Sequence, residues 1–305
     1  MRLAHRSPRL SMDGIDLVVF MAFGASSLWV LGLDLWQVVV HGRSWTGTDG
    51  AFVQDQMQYL AWIGDASRHV LVSNLFVVRD TPADYLNPLV SISGGLAALG
   101  LAPSLVLLAW KPMAVGGVFF AIRAYVHRMI DSPQARRVAL VLALFAGWVG
   151  LAPDLWLPFW SWGYPFALIG LAAMLAAILM YERDRGTGRL GWTAPLLAAL
   201  SSWLHPWQGE SLILILLCAE GVMGKPWGAR RGARLLLTVS AASVPLAYYA
   251  ILGRSDRSWG LGQELFRNTY PAWKLLLVAA LLGVPTVLGS RVRPRTFLTT
   301  MTLAW

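Results

Sequence analysis

Asp55 has the surroundings that chemistry would need. Gln58, Tyr59 and Trp62 follow it at i+3, i+4 and i+7, so a helix through this stretch presents a carboxylate beside two aromatic rings on one face. A hydroxyl is a poor nucleophile until a positioned base takes its proton, and a carboxylate is a common choice. The competing reading is a solvated acidic face on a surface helix. Asp49, six residues earlier, is a second carboxylate and equally a helix cap after the turn signalled by Gly47 and Gly50. Asp80 and Asp84 lie in RDTPADYLNP and read first as turn residues around Pro82 and Pro88, second as ligands for a metal or an acceptor.

Cationic partners for a phosphate are Arg68 and His69, which follow the Asp55 helix, and Arg79. Arg254, Arg257 and Arg267 lie in a later segment. Arginine suits bidentate phosphate contact, although each of these also reads as an interfacial anchor. Lys111 differs because it sits inside an apolar run, LLAWKPMAV, next to Pro112. A charge at that depth costs about 2.5–3.5 kcal/mol on insertion scales, so it faces a partner or a wet cavity. That partner is either a phosphate or a carboxylate such as Asp34 or Glu220. His205 and Glu210, in SSWLHPWQGESL, are candidates for donor, acceptor or metal contact, and an ordinary hairpin turn explains the same segment. Their spacing matches no known zinc pattern.

The elements that carry these residues are set by composition. Hydrophobic residues make up 56% of the chain and charged residues 13%, with a mean hydropathy of +0.55. A soluble domain carries about 25% charged residues. Repeated apolar stretches near ~20 residues, split by short charged segments, predict an all-α polytopic transmembrane bundle. Eight full spans are expected at about 15–40, 103–122, 138–153, 163–181, 190–204, 211–223, 235–252 and 271–290. A ninth begins near Thr296 and is cut off at Trp305. The segment 88–101, rich in Gly and Ser, predicts a half-inserted or interfacial helix. Residues 51–66 predict an amphipathic helix inside a first loop of 41–87, with Val53, Met57, Leu60 and Ala61 on its apolar face. The chain is expected to form a single domain over 1–305.

Charge orients the bundle. Segments 1–14, 123–137, 182–189, 224–234 and 291–295 hold seventeen Arg and Lys, against six in the alternate loops between the predicted spans. The positive-inside rule therefore predicts a cytoplasmic N-terminus and an extracytoplasmic first loop. The +9 charge is then a property of the cytoplasmic face and points to anionic lipid, not to nucleic acid. The single cysteine, Cys218, reports nothing about redox compartment.

The order of these features resembles the GT-C superfamily of polytopic glycosyltransferases, of the family-39 or mannosyltransferase type. A cytoplasmic arm and one helix lead to an outer loop with Asp55-Gln56-Met57-Gln58-Tyr59, similar to an Asp-Glu-x-x-Tyr-like motif. Asn87-Pro88-Leu89 and the small-residue run Gly94 to Leu101 follow. The likeness covers residues 10–180 by layout, and Gln56 stands where an acid is common. It implies inverting transfer of a sugar from a polyprenyl-phosphate donor to a hydroxyl of a cell-envelope glycan, lipid or protein, on the extracytoplasmic face of the cell membrane. Asp55 would be the general base. Asp49, Tyr59, Trp62, Arg68, His69, Lys111, His205 and Glu210 would be substrate-binding candidates. The cofactor is open between none and a divalent cation. No Gly-rich phosphate loop with Lys is present, which disfavours nucleotide sugars. A transporter or lipid flippase, or a catalytically inactive membrane protein, are the alternatives.

Overall fold

A computed structural model describes residues 12–45, 47–48, 52–75, 77–78, 80–145, 157–222 and 228–260. Most of these residues are helical, with one isolated antiparallel bridge between Val72 and Tyr85. The helices are α1 (Gly14–His41), α2 (Val53–Ala66), α3 (Pro88–Ala98), α4 (Pro103–Met129), α5 (Pro133–Phe145), α6 (Leu157–Gly163), α7 (Pro165–Thr187), α8 (Thr193–Leu204), α9 (Pro206–Val222) and α10 (Ala229–Ser255). Five of them, α3, α4, α5, α7 and α9, begin on proline. Its fixed φ suits a first helical turn, and its missing N–H would have no intrahelical acceptor there.

Four helices, α1, α4, α7 and α10, are long and apolar enough to cross a membrane. A large share of α1 and α10 is exposed and apolar, including Val18, Met21, Val39, Leu236, Val244 and Ile251, the condition expected of lipid-facing helices. The predicted spans 15–40, 103–122 and 235–252 fall within α1, α4 and α10, and 163–181 overlaps α7 from Pro165 onward. α4 and α7 run past the predicted ends into the basic segments. α8 has 12 residues, about 18 Å of rise against a ~30 Å core, and α3 has 11, about 16 Å. The predicted spans 271–290 and 296–305 lie outside the described residues.

The chain divides into two compact units. The first comprises residues up to Val70 and Leu89–Leu175, hence α1, α2, nearly all of α3, α4 to α6 and the first half of α7. Its core joins Phe23, Ile63, Val90, Leu107, Ala114, Val118 and Phe119. Phe20 and Phe119 lie 4.8 Å apart, tying α1 to α4. At one end of that pair, buried Arg123 donates from Nε to Asp16 Oδ2 at 2.7 Å. α3 lies directly on the end of α2: a Cβ at Gly94 would collide with Ala66, so this close approach requires glycine.

The second unit comprises Leu71–Pro88 and the chain from Ala176 onward. α8, α9 and α10 pack on one another around Ala198, Leu212, Ile215, Leu216, Ala219 and Ala242. Segment 71–88 is fastened by aromatic residues. Tyr85 stacks on Tyr249 at 5.7 Å and on Trp259 at 4.8 Å, and Trp203 Nε1 donates to the Leu86 carbonyl at 2.9 Å. The Tyr248 hydroxyl accepts from the Leu86 amide at 2.8 Å and donates to the Asp84 carbonyl.

Candidate functional site

In the first unit, α2 meets the turn between α6 and α7, and the Asp55 cluster forms there. Tyr164 is the residue before Pro165, where proline disfavours the α conformation and so marks a helix boundary. Its hydroxyl donates to Asp55 Oδ2 at 2.8 Å. Asp55 itself is half-buried, so one face of the carboxylate is held while the residue keeps access to its surroundings.

Gln56, the next residue, is fully buried. Lys111, also buried, donates from Nζ to Gln56 Oε1 at 3.0 Å and to the Trp162 carbonyl at 3.0 Å. One ammonium therefore ties the residue beside Asp55 to the strand of turn that carries Tyr164. The expectation that Gln56 is merely a missing acid is replaced by a defined role as an acceptor. Lys111 has these two neutral oxygens among its partners. Glu220, offered as a possible mate for it, is engaged in the second unit by Tyr181, Arg185 and Arg231.

The aromatic wall expected beside Asp55 is present. Tyr59 lies 6.1 Å from Trp62 and 5.0 Å from Phe166, and Phe166 lies 6.1 Å from Trp110. Trp62 is buried, and Val53 and Met57 on the other face of α2 are exposed. The N-cap of α2 is Phe52, whereas the sequence pointed to Asp49; Asp49 lies outside the described residues. Phe52 has φ 50°, a left-handed conformation rare for a bulky side chain. Its ring packs 4.7 Å from Tyr164 and against Gly163, where a Cβ would overlap it. This packing compensates a backbone strain of about 1–3 kcal/mol.

The remaining candidates scatter. Arg68 is exposed and pairs with buried Asp65 at 3.3 Å, closing the last turn of α2. His69 is exposed, with its amide bound to the Asp65 carbonyl at 3.1 Å. In the second unit, His205 caps α8, and its amide donates to the Ser201 carbonyl at 3.0 Å. Burial pushes its imidazole down to about 4, so it is neutral near pH 7. Glu210 is exposed on α9, so the two do not share one buried environment. Asp84 accepts from Trp259 Nε1 at 3.1 Å, and burial, with Asp256 nearby, pushes its carboxyl up. Asp80 is exposed, and Arg79 and Arg267 lie outside the described residues. Among the described residues no group of three or more His, Cys, Asp or Glu is placed to hold a metal ion.

Compared with models of known protein families, with curated proteins and with solved structures, the chain matches none.

Tyr164 and Trp162 are the site residues with no role expected from the sequence. Gly163-Tyr164-Pro165 was absorbed into the start of a predicted span, although an aromatic between Gly and Pro is a signal of a built turn.

The assembled groups define what the cluster can do. A carboxylate with one oxygen held by a phenol keeps a fixed orientation and retains lone pairs for a hydroxyl proton. Buried Lys111, bound to Gln56 Oε1 and to the Trp162 carbonyl, fixes α2 against α4 and α6 beside the cluster. Aromatic faces such as those of Tyr59, Phe166 and Trp110 suit the apolar side of a ring or chain.

Proposed function

We propose that this protein is a membrane glycosyltransferase of GT-C type, moving a sugar from a polyprenyl-phosphate carrier to an acceptor hydroxyl with inversion at the anomeric carbon. The observation that carries the reading is the Asp55 carboxylate held at 2.8 Å by Tyr164, in a helix that Lys111 fixes through Gln56. The full proposed topology has eight spans and a partial ninth, a cytoplasmic N-terminus, and the Asp55 site on the extracytoplasmic side of the cell membrane. The arginine and lysine distribution supports this orientation.

In the proposed reaction, Asp55 takes the acceptor's hydroxyl proton as its oxygen attacks the anomeric carbon. The bond from that carbon to the phosphate oxygen breaks on the opposite face, and the polyprenyl phosphate departs with the electron pair. Lys111 holds the base in position. Arg68 and His69 are exposed beyond the far end of α2, about 20 Å of helical rise from Asp55, and are given no contact with the leaving phosphate.

The test is to incubate the full chain in liposomes with a polyprenyl-phosphate hexose and a panel of hydroxyl acceptors. The expected result is release of polyprenyl phosphate and a product of inverted anomeric configuration, with nucleotide sugars inactive as donors. The transporter or flippase reading draws on Lys111 and Pro112 within α4. Lys111-dependent movement of the lipid across the bilayer, with the glycosidic phosphate bond intact, would replace the transferase reading by that one.

A further inference from the structure

In the first unit, α3 and α4 form a hairpin whose arms leave a gap. After α3, Gly100 at φ 97° reverses the chain, and α4 begins on Pro103. α3 is held from its other side. Its Gly94 lies against Ala66 at the end of α2, and the Ser91 hydroxyl donates to the Val70 carbonyl at 2.8 Å. These contacts fix α3 toward α2, and a cleft of about 320 Å³ stands between α3 and the first half of α4.

The side chains that line it are all apolar or aromatic. Ile92 and Leu96 come from α3, and Leu105, Ala109 and Met113 from α4, with buried Val106 at the base. Trp110 is a further wall, and its one polar atom is taken up. Its Nε1 donates to Ser93 Oγ at 2.9 Å, and that hydroxyl donates to the Leu89 carbonyl at 2.6 Å. Water does not settle in such a space, because a held water needs about two to four polar partners. Left empty, the walls lose their dispersion contacts on that side. α4 is long and apolar enough to cross a membrane, and Leu105 to Met113 covers about 12 Å of its axis. Ile92, Leu105 and Met113 are all exposed, so the cleft is open to whatever surrounds that half of α4, which for a spanning helix is the hydrocarbon of one leaflet. No lining group is charged, so the cleft suits a chain and not a headgroup. The donor of the proposed reaction has the opposite requirement, because its phosphate must reach Asp55. Trp110, pinned by Ser93 and 6.1 Å from Phe166, separates the cleft from the aromatic wall beside that carboxylate.

We propose that this cleft holds one acyl chain of a bilayer phospholipid. The chain completes the packing between α3 and α4 and steadies the end of α2 that α3 covers. Recognition is by hydrocarbon alone, so the headgroup stays free and its identity does not matter. The site is independent of the transferase reading.

The test places the full chain in bilayer nanodiscs of phosphatidylcholine that carries a photoreactive diazirine midway along one acyl chain. After irradiation, adducts are located by peptide mass spectrometry. Adducts on Leu105, Ala109 and Met113 are expected about fivefold above those on Val244 and Ile251, which are exposed on α10 and serve as ordinary lipid-facing surface. A109F fills the cleft and should cut the α4 adducts about fivefold while leaving those on α10 unchanged. L96W, from the opposite wall, should do the same and carries the contrast if A109F fails to insert. Phosphatidylglycerol with the same label should give the same pattern. Even labelling of α4 and α10, unchanged adducts in both variants, or a clear dependence on headgroup would overturn the proposal. Loss of the α4 adducts on adding a small mole fraction of polyprenyl phosphate would give the cleft to that chain and overturn the acyl assignment.

Discussion

Asp55 is tied into its surroundings through two neighbours, and each tie can be cut singly. Tyr164 holds one carboxylate oxygen, and Lys111 holds Gln56 together with the Trp162 carbonyl. A hydrogen bond to a charged group contributes about 1.5–3 kcal/mol. Y164F is therefore expected to lower kcat of the proposed transfer about tenfold or more, with KM little changed. An unaltered kcat would remove Tyr164 from the site. K111M removes the Nζ donor from the buried Gln56 amide oxygen, at about 1–3 kcal/mol, so thermal stability should fall. If Lys111 positions the base, the effects of K111M and Y164F on kcat should be clearly non-additive in a double-mutant cycle; simple additivity would separate them. Gly163 is the third residue of this group. G163A pushes a methyl group into the Phe52 ring and should destabilise the protein by about 1–3 kcal/mol, read as a lowered melting temperature.

At the scale of elements, α2 is the piece that matters most, and its existence was legible in the sequence. The i, i+4, i+7 spacing of Asp55, Tyr59 and Trp62 gives a helix over 53–66 and the aromatic wall beside the carboxylate. Its start was not legible. Asp49 has the right chemistry for a cap, but the helix begins after Phe52, in a left-handed conformation that only packing against Gly163 and Tyr164 can stabilise. Tertiary contacts of that kind leave no local pattern. The same is true of the clamp on segment 71–88, where Tyr85 is held by Tyr249 and Trp259 from more than 160 residues away. Proline at the first position of five helices, by contrast, reads directly from sequence. The α8–α9 hairpin carries its own prediction. His205 titrates near 4 when folded, below the ~6.5 of an unfolded chain. Between those values the unfolded state binds more protons, so stability falls as pH drops from about 6.5 toward 4 and changes no further from this residue below that. H205Q should melt with a smaller loss between pH 7 and 4.5 than the parent chain; an identical loss would show that His205 does not contribute.

On the scale of the whole molecule, the composition that predicts a helical membrane protein is matched among the described residues, which are mostly helical and include four helices apolar and long enough to span. Span number is harder to read from hydropathy, because α3 and α8 are apolar but short, and a window of average hydropathy does not report helix length. The chain divides into two compact units, each assembled from segments distant in sequence. The proposed chemistry centres on Asp55, and one measurement addresses it. Wild type and D55N are to be inserted to equal levels in sealed vesicles, with the polyprenyl-phosphate hexose supplied and transfer rate per inserted molecule recorded. Loss of a positioned general base removes about 10²–10⁴-fold of rate. The expected result is a fall of at least about 10²-fold in D55N, with insertion and melting temperature near those of the parent. Transfer by D55N at the wild-type rate would contradict the assignment of Asp55 as the base.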